Sequence, residues 1–362
     1  MAQNVYIHIP FCKQKCRYCS FVSFPKLEMK NKYLAALRQE ILYYYKQEKL
    51  NTLYFGGGTP SLLTTTEIKE IIKMFQIDEK TEITVEINPE TVDYNYLCAL
   101  KNIGVNRISI GCQTFDDKIL ETIGRIHNSN QVKLMVKQAF DAGFKNISLD
   151  LIYGLPNQTV DGFESDLTQA INLGVHHISL YGLKIEEGCA FYNNTPDNLP
   201  DEDSQADMYL KAIEITKKHG FEHYEISNFA KKNYYSKHNL NYWNNNSYYG
   251  FGVAAHGYID GVRYANTSNI NDFIKNSLTN REEKLLTDNE KQEEEIFLGF
   301  RKISGIDTKL FNEKYKINFD KKYKTTLKKY LASGHIIKTQ NGYKLSTEGI
   351  MVSNYILADF LE

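Results

Sequence analysis

Val5-Tyr6-Ile7-His8-Ile9-Pro10-Phe11-Cys12-Lys13-Gln14-Lys15-Cys16-Arg17-Tyr18-Cys19 reads as a short strand running into a C-x3-C-x2-C loop. Three thiolates this close together can hold three corners of a four-iron cube and leave the fourth iron without a protein ligand, which implies a small ligand there. Lys13, Lys15 and Arg17 on the same loop are expected to lower the thiol pKa values. A structural zinc site is the weaker reading, because it wants four protein ligands and no second C-x2-C or H-x3-H pair follows. A disulfide framework is weaker again: Cys98, Cys112 and Cys189 lie far apart, no signal-peptide pattern points to an oxidising compartment, and these cysteines read as small buried hydrophobes.

Outward from that loop, strands and amphipathic stretches alternate, which predicts parallel βα units. Strands are expected over Val5 to Ile9, Thr52 to Phe55, Glu82 to Ile87, Arg107 to Ile110, Ile147 to Ile152 and His177 to Tyr181. Helices are expected over Asn31 to Tyr45, Thr66 to Phe75, Tyr94 to Asn102, Gln131 to Ala142, Gly162 to Leu173 and Ser204 to His219. This α/β order predicts a partial (β/α)6 TIM-like barrel, with Phe221 to Ile226 and Gly250 to Tyr258 extending it. After about residue 285 the pattern changes to helices near Asn289 to Phe300, Asp307 to Tyr315 and Lys322 to Ser333. Strands at His335 to Thr339 and Tyr343 to Ser346 then flank the turn Asn341-Gly342. Two domains are therefore expected, 1–285 and a mainly helical, winged-helix-like 286–362.

The 362 residues carry a formal charge of -1, so no broad field exists for gripping nucleic acid, and no polybasic block suggests an anionic membrane surface. No apolar run approaches the roughly 20 residues needed to span a bilayer, so membrane contact is at most peripheral and a cytoplasmic location is expected. In a βα barrel the working groups sit at the C-terminal ends of strands. The cysteine loop, Gly56 to Pro60, Glu86 with Asn88, Gln113 and Asp150 all fall at such ends, so they should share one mouth. Singly, each could be a turn, a cap or an ion-pair partner.

The motifs Tyr6-Ile7-His8-Ile9-Pro10-Phe11-Cys12, Gly56-Gly57-Gly58-Thr59-Pro60-Ser61, Glu86-Ile87-Asn88-Pro89, Gly111-Cys112-Gln113-Thr114-Phe115 and Asp150-Leu151-Ile152-Tyr153-Gly154-Leu155-Pro156 accompany the cysteine run. Together they resemble the radical S-adenosylmethionine superfamily, in the branch that holds oxygen-independent coproporphyrinogen III oxidase and the HemW-type heme chaperones. The resemblance covers nearly the whole chain. It implies a [4Fe-4S] cluster on Cys12, Cys16 and Cys19, with S-adenosylmethionine chelating the open iron among Tyr6, Gly57 and Glu86. In the oxidase branch a second S-adenosylmethionine binds nearby, and the positions matching its site are Tyr18, Gly58, Thr59, Gln113, Arg125 and Asp150. Electron transfer from a reduced cluster to the sulfonium would release a 5′-deoxyadenosyl radical, chemistry that the cofactor carries.

Two departures favour the chaperone branch. The oxidase has a further cysteine two residues beyond the third ligand, where Phe21 stands here, and a substantial segment before the cluster loop, where only Met1 to Phe11 precede Cys12. His238-Asn239-Leu240-Asn241-Tyr242-Trp243 is also similar to the H-N-x-x-Y-W motif linked to heme binding in that branch. His238 is a possible axial ligand, Tyr242 and Trp243 offer flat faces to a macrocycle, and His256 is a second possible ligand. The expected function is a heme chaperone serving heme-accepting apoproteins, respiratory hemoproteins among the candidates, with a homodimer left open. The alternatives are the oxidase and, from another class, a zinc-stabilised binding module.

Overall fold

In the computed structural model, which describes residues 3–361, six strands pair parallel in chain order. They are β1 (Asn4–Ile9), β2 (Thr52–Gly57), β3 (Glu82–Ile87), β4 (Arg107–Gln113), β5 (Asn146–Tyr153) and β6 (His177–Gly182). β7 (Glu222–Glu225) and β8 (Asn228–Ala230) extend the β6 edge antiparallel, while β9 (Tyr249–Phe251) adds parallel to β1. The sheet order is β7-β8-β6-β5-β4-β3-β2-β1-β9, and no pairing among the described residues joins the outer strands, so the barrel is open. The domain limits expected at 1 and 362 fall outside the described residues.

Helices carry the crossovers: α1 (Lys30–Tyr44), α2 (Thr65–Ile72), α3 (Tyr94–Asn102), α4 (Asp117–Thr122), α5 (Ser129–Asp141) and α6 (Val160–Asn172), then α7 (Ala190–Asn193) and α8 (Glu202–Lys218). Their starts are set locally, because the side chains of Thr64, Asp93, Asn128, Thr159 and Asp201 each accept a backbone N–H of the first turn.

Alternation along the strands decides what faces what. Val5, Ile7, Leu53, Phe55, Ile83, Val85, Ile108, Ile110, Ile147, Leu149, Ile178 and Leu180 are buried in one apolar cluster with Leu37, Ile68, Leu97, Val136 and Leu167 of the helices. The other parity holds Asn4, Tyr6, His8, Thr52, Tyr54, Glu82, Thr84, Glu86, Arg107, Ser109, Ser148, Asp150, His177 and Ser179. Successive side chains in a strand point to opposite faces, so this second set looks into the lumen. Cys112 on β4 and Cys189 are buried as expected, whereas Cys98 on α3 is only half-buried.

Beyond the sheet, α9 (Lys237–Trp243) packs under the barrel. A separate antiparallel sheet of β10 (His256–Ile259), β11 (Val262–Asn266) and β12 (Arg281–Leu285), with α10 (Ile270–Lys275), walls the mouth. Gly250 to Tyr258 therefore does not extend the barrel as one piece; only its first residues join β9. The chain leaves the sheet at Gly252 and Ala254, both with positive φ, and Asp260-Gly261 then make a two-residue hairpin between Ile259 and Val262.

The C-terminal part comprises α11 (Asp288–Gly299), α12 (Thr308–Tyr315), α13 (Phe319–Lys322), α14 (Lys324–Ala332), α15 (Thr347–Met351) and α16 (Ser353–Ala358). They surround a sheet of β13 (Ile306–Asp307), β14 (Ile336–Lys338) and β15 (Gly342–Leu345). Ile296, Phe300, Phe311, Phe319, Ile356 and Phe360 belong to an apolar cluster of their own.

The mouth wall is tied to the barrel through Glu40 of α1, which accepts from the Gly252 N–H at 2.8 Å and the Asn266 side-chain amide at 2.6 Å. Gly252 has φ +101 and lies so close to Tyr33 that a Cβ there would sit 2.3 Å from the Tyr33 hydroxyl. Burial pushes the Glu40 carboxyl up to about 8 against those two hydrogen bonds. A folded-state pKa raised from 4.5 to about 8 means the folded protein binds more protons across that window, so stability falls as pH rises through it. We expect the thermal midpoint to fall between those pH values, and Glu40→Gln to reduce the slope. An unchanged slope in the variant, followed by calorimetry, would show that Glu40 does not titrate there.

Candidate functional site

The cysteine loop is pinned by backbone bonds on both sides. Cys12 donates to the Phe24 carbonyl at 3.2 Å, Phe24 donates to Pro10 at 2.7 Å, Arg17 donates to Ile123 at 2.9 Å, and Phe191 donates to Arg17 at 2.9 Å. Tyr18 packs against the small apolar cluster of Ile119, Ile123, Leu155 and Phe191. These bonds fix the course of the loop, although it has no regular structure.

A continuous hydrogen-bonded belt then joins two of the thiols. The Thr59 hydroxyl donates to Cys12 Sγ at 3.4 Å and accepts from the Asn88 amide at 3.0 Å. Asn88 Oδ1 accepts from Arg125 at 2.8 Å, and the same guanidinium reaches Cys16 Sγ at 3.7 Å and the Gly111 carbonyl at 2.9 Å. Gln113 lies beside this belt: a Cβ added to Gly111 would sit 3.0 Å from both Asn88 Oδ1 and Gln113 Nε2. Asn88 was read as the end of a strand and is the link between Thr59 and Arg125.

The expected lowering of the thiol pKa values by the loop's own cations is not what Cys19 shows. Burial pushes its thiol up to about 11, with Cys16 and Cys12 adding to the rise and Lys15 the smallest opposing influence. Lys13, Lys15 and Arg17 instead donate to the carbonyls of Glu90, Gly188 and Thr122. The cation placed against a thiol is Arg125, from the loop after α4. A buried thiol raised in this way fits a multi-iron centre, whose positive charge would remove its proton. No group of three or more His, Cys, Asp or Glu among the described residues converges on a single ion.

Next to the belt, Glu86 accepts from the Tyr54 hydroxyl at 2.8 Å and the Gly57 N–H at 3.2 Å. Gly57 has φ +108 and faces His8 so closely that a Cβ would come within 2.6 Å of the ring, which only glycine permits. The Gly58 N–H is held by the Ile9 carbonyl at 2.8 Å. Burial pushes Glu86 up to about 7, with the Tyr54 hydrogen bond opposing and Asp150 adding to the rise. Tyr6 stacks on Tyr54 at 6.1 Å between centroids and contacts His8 Nδ1 through its hydroxyl at 3.1 Å. Asp150 stands deeper in the lumen, where the Ser109 hydroxyl contacts both its oxygens at 2.9 and 3.1 Å. Burial raises its pKa. Tyr54, which the sequence reading passed over, shares β2's inward face with Gly56, and that spacing of two was the available signal.

The segment 238–243 is divided by its helix. His238 and Tyr242 are four residues apart on α9 and share one face, while Trp243 is turned toward Arg301, whose guanidinium carbon lies 5.7 Å from its ring centroid. Glu82 places the helix by accepting the backbone N–H groups of Lys237 and His238, each at 3.2 Å. His238 is 1% exposed and stacks on Tyr54 at 4.9 Å. Its Nδ1 meets the Thr52 hydroxyl at 2.7 Å and its Nε2 the Tyr242 hydroxyl at 2.8 Å. Burial, with Arg107 adding, lowers its pKa to about 3.

Above these residues opens a cavity of about 1140 Å³, lined in part by Tyr6, Phe21, Tyr242, His256, Lys275 and Arg281. Phe21 is 65% exposed at its rim. Among the described residues no helix is long and apolar enough to cross a membrane.

The model of the Radical SAM superfamily matches residues 6–170, and that of the HemN C-terminal domain residues 286–352. The heme chaperone HemW of Bacillus subtilis is 38% identical, over 99% of this chain and 99% of its own length. That of Lactococcus lactis is 35% identical, over 99% and 97%. The structure of coproporphyrinogen III oxidase HemN from Escherichia coli aligns with a TM-score of 0.87 at 21% identity, covering 99% of this chain and 90% of that one, a likeness of fold.

Anaerobically reconstituted protein should carry about four irons per chain, and Cys16→Ser should abolish the cluster. Stoichiometric zinc without sulfide would contradict this. Arg125→Met removes the cation 3.7 Å from Cys16 Sγ, so the cluster's midpoint potential should move to more negative values. A redox titration followed by electron paramagnetic resonance reads the shift; no shift would mean that Arg125 does not sense the cluster's charge.

Proposed function

This chain belongs to the HemW heme-chaperone family of the radical S-adenosylmethionine superfamily, and on that footing we propose that it binds heme and passes it to acceptor proteins. Membership brings with it the [4Fe-4S] cluster and S-adenosylmethionine of the superfamily. We assign the cluster to Cys12, Cys16 and Cys19, and S-adenosylmethionine to Tyr6, Gly57 and Glu86, all within residues 1–285. Tyr18, Gly58, Thr59, Gln113, Arg125 and Asp150 match the positions of a second S-adenosylmethionine. Held by these residues, a reduced cluster would be able to supply an electron to the sulfonium, and in a chaperone S-adenosylmethionine has a structural or gating role. The chain's own residues do the positioning: Gly57 and Tyr54 orient the Glu86 carboxylate, and the Thr59-Asn88-Arg125 belt fixes the thiols relative to it.

The observation that carries the chaperone reading is the large mouth cavity with Phe21 exposed at its rim, in the place where the oxidase pattern puts a cysteine. An exposed phenyl offers a macrocycle an apolar face and supplies no proton or thiol chemistry. Tyr242 is the residue of the segment His238 to Trp243 that reaches this cavity, with His238 behind it. Trp243 contributes to the seating of that helix. The working location is the cytoplasm, with acceptors that include respiratory hemoproteins.

Anaerobic heme titration, followed by transfer to candidate apoproteins, tests the proposal, and a failure to bind heme would end it. The cluster-loaded, reduced protein should not convert coproporphyrinogen III to protoporphyrinogen IX. Sustained decarboxylation would reverse the choice between chaperone and oxidase.

A further inference from the structure

The end of the barrel opposite the cysteine loop carries a cavity that neither the cluster nor the heme reading uses. It measures about 760 Å³ and lies under Asn4 and Thr52, the first residues of β1 and β2, with α9 along one side and Lys314 of α12 on another. Lys80, Lys237 and Lys314 line it, and among the described residues no aspartate or glutamate does. Lys314 is paired with Glu295. Lys80 makes no ion pair among the described residues, and Lys237 Nζ meets only the Lys80 carbonyl, at 3.2 Å, which leaves its charge unbalanced.

The amides of the wall are oriented through their oxygens. Asn245 Oδ1 accepts from Arg263 at 3.1 Å, and a guanidinium can only donate, so the other end of that amide is an N–H. Asn241 Oδ1 accepts from Asn4 at 2.6 Å, and the oxygen of Asn4 is itself taken by the Thr52 hydroxyl at 3.0 Å. Asn244, exposed on the same wall, gives its oxygen to Lys302 at 2.7 Å. Asn241 and Asn245 are each 5% exposed, and their Nδ2 groups have no partner among the described residues. A buried N–H without an acceptor is costly, and native structures leave few of them.

Two unpaired amide donors beside two unbalanced ammonium groups, with no carboxylate in the wall, match a ligand that brings negative charge and several oxygen acceptors. The volume is that of a small-molecule site and exceeds what a bare ion fills. Lysine binds phosphate as a point charge, without the bidentate geometry that selects carboxylates through arginine. Gln3, Asn51 and Asn246 add amides that can give to or take from hydroxyl groups. We propose that this cavity binds a phosphorylated polar small molecule of the sugar-phosphate class, its phosphoryl oxygens meeting Lys80, Lys237 and the Nδ2 groups of Asn241 and Asn245. The walls come from the barrel floor, α9 and α12, so the bound ester joins the C-terminal domain to both and stabilises the folded chain.

The test is calorimetric titration of the full-length, cluster-loaded protein with glucose 6-phosphate, ribose 5-phosphate and inorganic phosphate, alongside citrate and sodium chloride at matched ionic strength. These esters carry no adenine and so do not probe the S-adenosylmethionine site. At least one ester should bind more tightly than inorganic phosphate and raise the thermal midpoint. Lys80→Glu, a change at an exposed side chain, should weaken it about 10-fold or more, the weight of one charge-assisted hydrogen bond, and leave the unliganded midpoint and the cluster unchanged. Asn245→Asp keeps the contact with Arg263 and turns the donor into a charged acceptor, so it should weaken binding at least as much. Affinity unchanged in both variants overturns the site. A response to citrate or chloride equal to that of the esters, or inorganic phosphate bound as tightly, overturns the ligand class, and no binding of either ester overturns the proposal. Heme titration of the same variants should be unaltered, so these outcomes stand apart from the chaperone reading.

Discussion

The structure depends on a division of labour between alternate residues of its six parallel strands. In a closed eight-stranded barrel the interior is filled by bulky branched side chains. Here the branched and aromatic parity, including Ile7, Phe55, Val85, Ile110 and Leu149, is packed outward against the helices. The inward parity is polar from Asn4 to Ser179, and an open sheet leaves it room to be so. Burying carboxylates, imidazoles and a guanidinium in one lumen is tolerable only when each is hydrogen-bonded or offset by charge. The contacts of Glu86 with Tyr54, Asp150 with Ser109, and His238 with Thr52 and Tyr242 are those compensations, and the same contacts build the site.

Much of this was legible in the sequence because the relevant physics is local. The strands announce themselves by composition, the cysteine spacing by proximity, and Gly57 by a residue type whose freedom is used at φ +108. What stayed hidden arises from distance in sequence. Arg125 meets Cys16 across a separation of 109 residues, and Glu82 meets the head of α9 across 156. The loop lysines illustrate the same limit: adjacency in sequence suggested that they act on the thiols, yet their long stems carry the charges to carbonyls. Two local signals were present and unread, the Asp260-Gly261 hairpin turn and the helical spacing of four between His238 and Tyr242.

Around the thiols, charge is arranged to favour an iron cluster over free cysteines. Burial and the neighbouring Cys16 and Cys12 push the Cys19 thiol up, and the Phe21 backbone hydrogen bond and Lys15 offset only part of that rise. A bound cluster would reverse that balance, because a highly charged centre deprotonates its ligands outright. Arg125 would then face the negative charge of the thiolates, and its bonds to Asn88 and Gly111 already hold it beside Cys16. Preorganisation of this kind places the ordering cost in folding instead of in cofactor binding.

The same logic separates the roles within the segment 238–243. On a helix only residues three or four apart share a face, so the histidine and tyrosine of this stretch act together while the tryptophan must look elsewhere. Glu82 anchors the first turn, which fixes His238 beneath Tyr54 and thereby carries Tyr242 up to the cavity. The pair thus divides its work: His238 pins the helix to the lumen through Thr52 and holds Tyr242 with its other ring nitrogen, and Tyr242 gives the cavity part of its wall.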